Sequence, residues 1–407
     1  MRHLHCRGKP MAACTAAFLL VVMLHCAAAK DLRQVTEPKT PASCTSLKGT
    51  GKDETTVIQK ALNECAKGKA VHLASGTFVS GPITIPSGVS LWVDSGVTLK
   101  ASLYTADYDL KERECVTAEM RGGSCKPFIT MKNAVGSGIY GKGTIDGQGS
   151  VTLMGRSHSW WQLSEISRSM ATKQTPPRLI QIDNSKDITL HQITLKNSPN
   201  FHVVASDTDG FTVWGVTIDT PASTHNTDGI DPMGARNVTI ANCKISTGDD
   251  NVAIKAGSAP TQHVSIVDNE FGAGHGMSIG SEVVHGVSDV YVSNLIMDGT
   301  TNGLRIKSDR SRGGLVTGIT YYDVSMRNVA NPIVLTTEYS ATATGNYIPE
   351  FRDITFEKVV VSTVGKYTLD GYSDAKPVQA IFQDVVVKKG STWVIKHAKI
   401  TGKWTED

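Results

Sequence analysis

Four short polar clusters lie in the second half of the sequence, and their residue types could do acid and base chemistry. The clusters are Asn226-Thr227-Asp228, Gly248-Asp249-Asp250, Gly274-His275-Gly276 and Arg305-Ile306-Lys307. Together they supply three carboxylates, one imidazole and two cations. Each cluster alone has an ordinary explanation, because Asp is common in turns and charged residues on a strand usually face solvent. Their meaning therefore depends on whether the fold brings them together.

A weak internal repeat indicates how the chain could position these clusters. A short strand pattern recurs at intervals of roughly two to three dozen residues, the period of solenoids. Its copies begin at Asp187, Gly210, Asn237, His263, Asp289, Gly318 and Asp353. Such short strands cannot bury an apolar face alone, but coils stacked about 4.8 Å apart can. The repeat predicts an all-β, right-handed parallel β-helix. An antiparallel sandwich is the alternative, although the Asn-Gly hairpin turns that it needs are scarce.

The apolar residues of three successive coils set the phase of the clusters. The inward pairs are Val252 with Ile254, Met277 with Ile279, and Leu304 with Ile306. Aligning these pairs gives two outward rows, Ala253–Ser278–Arg305 and Lys255–Gly280–Lys307. Asp249 then falls on the face of Arg305, and Asp250 shares a row with His275. Asp228 lies one coil below, in phase with Asp250, so the alignment predicts one shared site.

Crowded carboxylates beside an imidazole suit the hydrolysis of a glycosidic bond. One protonated carboxyl must donate to the leaving oxygen while a carboxylate activates water. Repulsion between neighbouring acids raises one pKa and leaves the other acid ionised. His275 could tune or resupply the acid. Arg305 and Lys307 point the same way on a strand and could bind a carboxylate carried by the sugar.

A metal site built from His275 and the three aspartates is the alternative for this set. One histidine with carboxylates is a poor set of ligands for a transition metal. Calcium would suit the acids, but Arg305 and Lys307 beside them argue against a bound cation. We therefore expect no metal and no cofactor.

Two helices are expected outside the repeat. Ile58, Leu62 and Cys65 share one face of a helix predicted near 56–66, with Asp53 or Thr55 as its cap. We expect this helix to close the N-terminal end of the solenoid. The pair Trp160-Trp161 indicates a short helical insertion.

The first 29 residues have the features of a secretory signal peptide, which would leave 30–407 as a single catalytic domain. A basic start and an apolar run precede Ala27-Ala28-Ala29. A membrane anchor is less favoured because the run is short, and a lipoprotein site at Cys26 because bulky His25 precedes it. Removing the segment lowers the formal charge from +3 to zero, since it carries three basic and no acidic residues. We expect a secreted protein that binds neither nucleic acid nor membrane.

Five cysteines remain after the signal peptide. Cys44 with Cys65, and Cys115 with Cys125, form two short-range pairs that suit an oxidising compartment. Cys243 lies in a strand-like run and is predicted to be a buried free thiol. Asn237-Val238-Thr239 matches a glycosylation acceptor by pattern, although its side chain could instead lie in the coil.

At the four polar clusters the sequence resembles the polygalacturonases, glycoside hydrolase family 28. The ordered set Asn-Thr-Asp, Gly-Asp-Asp, Gly-His-Gly and Arg-Ile-Lys is that family's signature, and all of it is present. The resemblance covers nearly the whole mature chain, including the segments 143–149 and 197–201. It is closest to bacterial endopolygalacturonases. It implies a right-handed parallel β-helix and the hydrolysis of polygalacturonate with inversion and without a metal. Solenoids of this type usually act as monomers, so we expect a monomer, although the sequence leaves the oligomeric state open.

The resemblance also implies a role for each residue at the site. Asp249 would be the general acid, while Asp228 and Asp250 would hold and activate the water. His275 would support protonation of the acid. The resemblance implies that substrate is bound by Arg305, Lys307, Asn226 and Tyr339, the last on a looser local match.

Three other activities remain as alternatives to endo-acting hydrolysis. An exo-acting relative would release mono- or digalacturonate, but its cleft would be blocked by longer loops than the segment 340–349 provides. A lyase would need an Arg or Lys base with calcium and would yield a product that absorbs ultraviolet light. A β-helical binding protein would hold polygalacturonate and release no reducing ends.

Overall fold

The computed structural model describes residues 30–110, 114–116, 124–172 and 174–407, so the predicted signal peptide lies outside it. The helices are α1 (Thr55–Glu64), α2 (Trp160–Ser169) and a 3-10 helix (Thr105–Tyr108). The described strands, numbered β1 to β31 along the chain, belong to two sheets, one with twenty strands and one with eleven. The eleven-stranded sheet contains β4 (Ile83–Thr84), β7 (Ile129–Lys132), β10 (Ile180–Asp183), β13 (Val203–Ser206), β16 (Ile230–Met233), β19 (Val252–Ile254), β21 (Met277–Ile279), β23 (Asn302–Lys307), β25 (Asn331–Thr336), β28 (Lys366–Asp370) and β30 (Thr392–Lys396).

The twenty-stranded sheet contains the remaining strands. They are β1 (Ser43–Lys48), β2 (Lys69–Ser75), β3 (Thr77–Ser80), β5 (Val89–Val93), β6 (Thr98–Ala101), β8 (Gly138–Tyr140), β9 (Thr144–Asp146), β11 (Lys186–His191), β12 (Thr194–Lys196), β14 (Asp209–Trp214), β15 (Thr217–Asp219), β17 (Arg236–Ala241), β18 (Lys244–Ser246), β20 (Thr261–Phe271), β22 (Val287–Asp298), β24 (Gly314–Arg327), β26 (Pro349–Phe351), β27 (Ile354–Val361), β29 (Val378–Val387) and β31 (Ala398–Glu406).

Parallel pairing between successive coils confirms the predicted β-helix. The repeat found in the sequence corresponds to strands β11, β14, β17, β20, β22, β24 and β27. Their inward residues stack in register as Ile188, Phe211, Val238, Val264, Val290, Ile319 and Ile354. All of these side chains are buried. Each coil thus buries its apolar side against the next, which a single coil could not do.

The first helix packs over the beginning of the solenoid as predicted. Ile58 and Leu62 of α1 are fully buried, and the helix packs against β2, β4 and β5. The Asp53 carboxylate accepts a hydrogen bond from the Thr55 N–H at 3.0 Å. The N-cap residue is Glu54 rather than Asp53 or Thr55, so that prediction was wrong, and the Glu54 side chain makes no capping hydrogen bond. The predicted insertion at Trp160 is helix α2.

The cysteines pair as the sequence analysis predicted. Cys44 bonds to Cys65 with a Cα–Cα distance of 5.7 Å, and Cys115 bonds to Cys125 with a distance of 4.5 Å. Cys243 is a free, buried thiol whose pKa is raised to about 12 by burial. None of the described helices is long and apolar enough to span a membrane.

An in-register row of rings runs along the outer face of the twenty-stranded sheet. It comprises His72, Trp92, Tyr140, His191 and Trp214 on successive coils. The rings of His72 and Trp92 stack at 3.8 Å. Such contacts along the coil axis reinforce the sheet from its outer side.

The segment 30–37, here called the N-terminal strap, crosses five successive strands on this same face. The Ser265 hydroxyl accepts the backbone N–H of Lys30 at 2.9 Å. Asp31 is buried, and its carboxylate accepts a hydrogen bond from the Thr239 hydroxyl at 2.7 Å. Glu37 reaches His191 at 3.3 Å. Thr239 belongs to the glycosylation pattern noted above, and the Asn237 amide donates to Asp209 at 2.7 Å, so both polar side chains lie in the coil contacts.

Candidate active site

The predicted site residues gather on the outer face of the eleven-stranded sheet. The strands β19, β21 and β23 pair so that Ala253, Ser278 and Arg305 are in register, as the apolar phase predicted. Ile230 pairs with Val252, which puts Asp228 in phase with Asp250 one coil away. Arg305 and Lys307 project from β23 itself, whereas the three aspartates and His275 lie in the turns that enter their strands.

Close backbone packing fixes the turns that carry the acids and the histidine. The Asn251 side chain donates to the carbonyl of Ala273 at 3.0 Å and accepts the Gly276 N–H at 2.8 Å. Gly274 and Gly276 both have positive φ, and a Cβ on Gly276 would lie 2.1 Å from the Asn302 carbonyl oxygen. The Gly-His-Gly cluster is therefore a sterically required corner that holds the imidazole at the surface.

Asp249 and His275 form the exposed part of the site. His275 Nδ1 lies 3.0 Å from Asp249 Oδ1, and the two side chains are 38% and 21% exposed. The sequence placed His275 in a row with Asp250, but the turn directs Asp249 toward it instead. Burial alone would raise the pKa of Asp249. The hydrogen bond and charge of His275 together with Lys307 outweigh burial and lower that pKa to about 2.

Asp250 is the buried centre of a second group. Lys307 Nζ lies 2.7 Å from Asp250 Oδ2, and the Ser278 hydroxyl donates to Oδ1 at 2.7 Å. Arg305 Nη1 lies 3.6 Å from Oδ1. Because both cations and the hydroxyl contact one carboxylate, they fix its position and partly balance its charge.

A third group, at Asp228, includes two residues whose roles the sequence analysis missed. Lys255 Nζ lies 3.3 Å from Asp228 Oδ2 and 2.6 Å from Asp231 Oδ2, and all three residues are buried. Burial raises the pKa of Asp228 well above its usual value; Asp231 adds to this rise and Lys255 opposes it. Burial likewise raises the pKa of Asp231 to about 6, against the charge of Lys255. The sequence did place Lys255 in the outward row of Lys307, which was the available signal.

The remaining two predicted residues lie at the edges of the site. The ring of Tyr339 is 43% exposed and lies beneath both cations, 5.5 Å from Arg305 Cζ and 5.2 Å from Lys307 Nζ. Its backbone N–H donates to the Ser308 carbonyl at 2.9 Å, which ties it to the end of β23. Asn226 is exposed and has a φ of 53°, in the turn before Asp228.

The cations around the three donor side chains decide whether the site could hold a metal ion. Ligand atoms of Asp249, Asp250 and His275 lie within 4.8 Å of one another, close enough to surround an ion. Yet Lys307 and Arg305 already contact Asp250, and His275 already bonds Asp249 through Nδ1. A further cation would compete with two fixed cations, so the chemistry of this site does not fit a resident metal.

Comparison with known proteins identifies the family to which this constellation belongs. A model of glycosyl hydrolases family 28 matches residues 65–403. The chain belongs to glycosyl hydrolase family 28. It is therefore a glycoside hydrolase, as the four clusters predicted, and the residues described above form the candidate active site of a family 28 enzyme.

Individual relatives agree with the family assignment. An endo-polygalacturonase of Pectobacterium carotovorum subsp. carotovorum is 51% identical over 377 residues, covering 91% of this chain and 93% of the relative. The solved polygalacturonase from Erwinia carotovora ssp. carotovora is 49% identical with a TM-score of 0.88, covering 91% of this chain and 100% of that one. This match confirms the predicted right-handed parallel β-helix. An exopolygalacturonase from Thermotoga maritima, at 20% identity and a TM-score of 0.76, shares the fold.

Proposed function

We propose that this family 28 enzyme is an endopolygalacturonase, which hydrolyses α-1,4-galacturonosyl bonds within polygalacturonate and inverts the anomeric centre. The observation that carries the proposal is the joint placement of Asp249 with His275 and of Asp250 with Arg305 and Lys307 on one wall. This wall offers acids for bond cleavage beside cations for a uronate. The 51% identity to an endo-polygalacturonase favours internal cleavage over the exo alternative.

Arg305 and Lys307 would bind the carboxylate of the sugar on one side of the cut. Both side chains are largely buried, so a carboxylate that reaches them loses water and gains charge-assisted hydrogen bonds. Arg305 can hold two carboxylate oxygens at once, and Lys307 acts as a point charge. A neutral sugar or a methyl ester lacks that charge, so the site selects uronates.

Asp249 would donate the proton to the leaving oxygen. In the substrate-free protein its pKa is about 2, so the proton must arrive as substrate binds. A uronate bound at Lys307 would offset one charge that lowers this pKa and would also exclude water. Both changes favour the protonated acid. His275, which already contacts the carboxylate, would supply the proton.

Asp228 and Asp250 would hold and activate the attacking water. The pKa of Asp228 is raised by burial, which makes this carboxylate a better proton acceptor. Asp250 is held by Lys307 and Ser278 and would orient the same water. Asn226 and Tyr339 would contact the sugars beside the cut. No step requires a metal or a cofactor.

The proposed cellular setting rests on the signal-peptide pattern of the first 29 residues and on the disulfides. We propose a signal peptide over 1–29, a single catalytic domain over 30–407, and secretion as a monomer. The two disulfides support an oxidising destination.

One assay tests the proposed function. The mature protein is incubated with polygalacturonate in excess chelator while viscosity and new reducing ends are followed together. We expect viscosity to fall quickly at few cuts and no ultraviolet-absorbing product to form. Asp249→Asn should lower kcat by about a thousandfold without changing the fold, since a positioned acid contributes about 10² to 10⁴ in rate. Slow viscosity loss would indicate exo action, an ultraviolet-absorbing product would indicate a lyase, and binding without cuts would indicate a binding protein.

A further inference from the structure

A cation outside the four sequence clusters lies in the same phase as the catalytic residues. Counting back two residues from the paired positions Ile180, Val203 and Ile230 gives Arg178, Phe201 and Asp228. Arg178 therefore enters β10 at the same point of the coil where Asp228 enters β16. Two coils separate them, or about 10 Å along the solenoid axis.

The contacts of Arg178 place its side chain on the wall of the candidate active site. Its guanidinium carbon lies 5.2 Å from the centre of the Phe201 ring, and Lys255 Nζ lies 4.4 Å from the same centre. Lys255 in turn contacts Asp228. The charge of Arg178 also contributes to lowering the pKa of Asp231, against the larger effect of burial. A continuous set of contacts thus joins Arg178 to the catalytic group.

Most N–H donors of the Arg178 guanidinium have no hydrogen-bond partner among the described residues. Its Nη1 donates to Gln181 Oε1 at 2.7 Å, and the Gln181 amide donates onward to Asp183 at 2.6 Å. Within the described ranges no carboxylate forms an ion pair with Arg178, unlike Arg305, which contacts Asp250. A guanidinium carries five donors in a planar fork that matches a carboxylate. Phe201 and Gln181 hold the fork in place, so little entropy would be lost on binding.

We propose that Arg178 binds the carboxylate of a galacturonate residue two sugars beyond the one that lies over Asp228. This inference rests on the proposed function. A pyranose unit of an extended chain is about as long as one coil is high, so each sugar of a chain along the axis meets the next coil. Arg305 and Lys307 hold the polymer on one side of the cut, and Arg178 holds it on the other. Because the polymer is held on both sides of the cut, the linkage to be cleaved lies over the aspartates.

Chain length supplies the test, because a short substrate cannot reach both Arg178 and Lys307. The kcat/KM of wild type, Arg178→Gln and Arg236→Gln is measured on galacturonate oligomers of three to six sugars. Arg236 is a matched control, since it lies on the other sheet and is 58% exposed. We expect Arg178→Gln to match wild type on the trimer and to lose about tenfold on the tetramer and longer chains. Arg236→Gln should match wild type throughout.

A binding measurement covers the case in which the trimer is not cut. In an Asp249→Asn background, titration calorimetry with the hexamer should show binding weakened about tenfold by Arg178→Gln and unchanged by Arg236→Gln. Arg178→Lys should recover part of the loss, because it keeps the charge without the fork. An equal loss of kcat/KM at every chain length, or no loss of kcat/KM at any chain length, would overturn the inference. If wild type released no reducing ends from polygalacturonate, the proposed function would fail first, independently of Arg178.

Discussion

Coil stacking produces different results on the two outer faces of the solenoid. On the twenty-stranded sheet it places ring beside ring, from His72 to Trp214, and the N-terminal strap covers part of that surface. On the eleven-stranded sheet the same spacing places unlike charges together, as in the contacts of Asp250 with Lys307 and Arg305. Both rows are in register, so the type of side chain in the row decides whether a face carries stacked rings or the charged groups of the candidate active site.

Removing Lys255 should have the largest effect on stability, because it leaves two buried carboxylates without their cation. We expect Lys255→Met to lower the free energy of unfolding by about 3 kcal/mol at pH 8. The pKa of Asp231, raised by burial to about 6, lies above its value in an unfolded chain. Its contribution to stability is therefore present below the unfolded value and is lost as the pH rises through 6. The loss in the variant should shrink at pH 4, where both acids are protonated.

Denaturant unfolding at the two pH values measures this effect. Lys244→Met is the control, since Lys244 is 68% exposed and pairs with Glu270 on the other sheet. It should change stability by less than about 1 kcal/mol. Equal losses for Lys255→Met at pH 4 and pH 8 would mean that Lys255 contributes packing rather than charge.

On the twenty-stranded sheet, the contacts of the N-terminal strap should make the corresponding contribution to stability. Asp31 is buried and accepts hydrogen bonds from Thr239 and from Arg33. Asp31→Ala removes the acceptor of the Thr239 hydroxyl and the carboxylate that pairs with Arg33, and should lower the free energy of unfolding by about 2 kcal/mol. Activity on polygalacturonate should be unchanged once the protein is folded, because the strap does not contact the candidate active site.

The control for the strap lies two coils from Thr239. Lys30 pairs with Asp289 at 3.1 Å, with side chains 35% and 40% exposed. Asp289→Asn should therefore lower the free energy of unfolding by less than about 1 kcal/mol. A loss of catalytic rate in folded Asp31→Ala would contradict the division of roles between the two faces.

The sequence predicted the register of the site better than its contacts. The inward pairs from Val252 to Ile306 fixed the phase of the coils, because one-residue slips would turn apolar residues outward. The structure confirms this phase for Arg305 and Ser278, which pair in register. It did not predict that His275 would meet Asp249 rather than Asp250, because both acids lie in a turn where the alternation of a strand no longer applies.

The periodicity of the sequence did not predict which charged residues of the site are buried. Asp231 and Lys255 each occupy an outward position, and outward charged residues usually meet solvent. Their burial depends on the neighbouring coils and on Phe201, which lies beneath Lys255. The strap was missed for a related reason. Residues 30–37 have no repeat of their own, and their partners lie roughly 150 to 260 residues away in the chain.

His275 allows the effect of a neighbouring charge to be measured at the candidate active site. His275→Ala removes a hydrogen bond and a nearby charge, so the pKa of Asp249 should rise from about 2 as burial becomes dominant. Carboxyl carbon NMR during an acid titration would follow this group. In wild type the stability due to Asp249 is present above its unfolded pKa and is lost as the pH falls through about 2.

Asp298 serves as the internal reference in the same spectra. Its pKa is lowered by hydrogen bonds from Arg327 and Asn328, two side chains that the substitution does not change. Its titration should therefore be identical in wild type and His275→Ala. A pKa of Asp249 that stays near 2 in the variant would mean that Lys307, rather than His275, controls this acid.

The smallest expected effect compares an aromatic ring on each face. Tyr339 lies beneath Arg305 and Lys307, whereas Trp92 stacks on His72. An exposed ring beside two cations contributes about 0.5 to 1 kcal/mol, so Tyr339→Ala should raise the KM for polygalacturonate about two- to fivefold. Tyr339→Phe keeps the ring and should retain the wild-type KM, unless the hydroxyl itself binds the sugar. Trp92→Ala should lower the melting temperature and leave KM unchanged. If Trp92→Ala raised KM as much as Tyr339→Ala, the row of rings would contribute to substrate binding. The two faces would then not have separate roles.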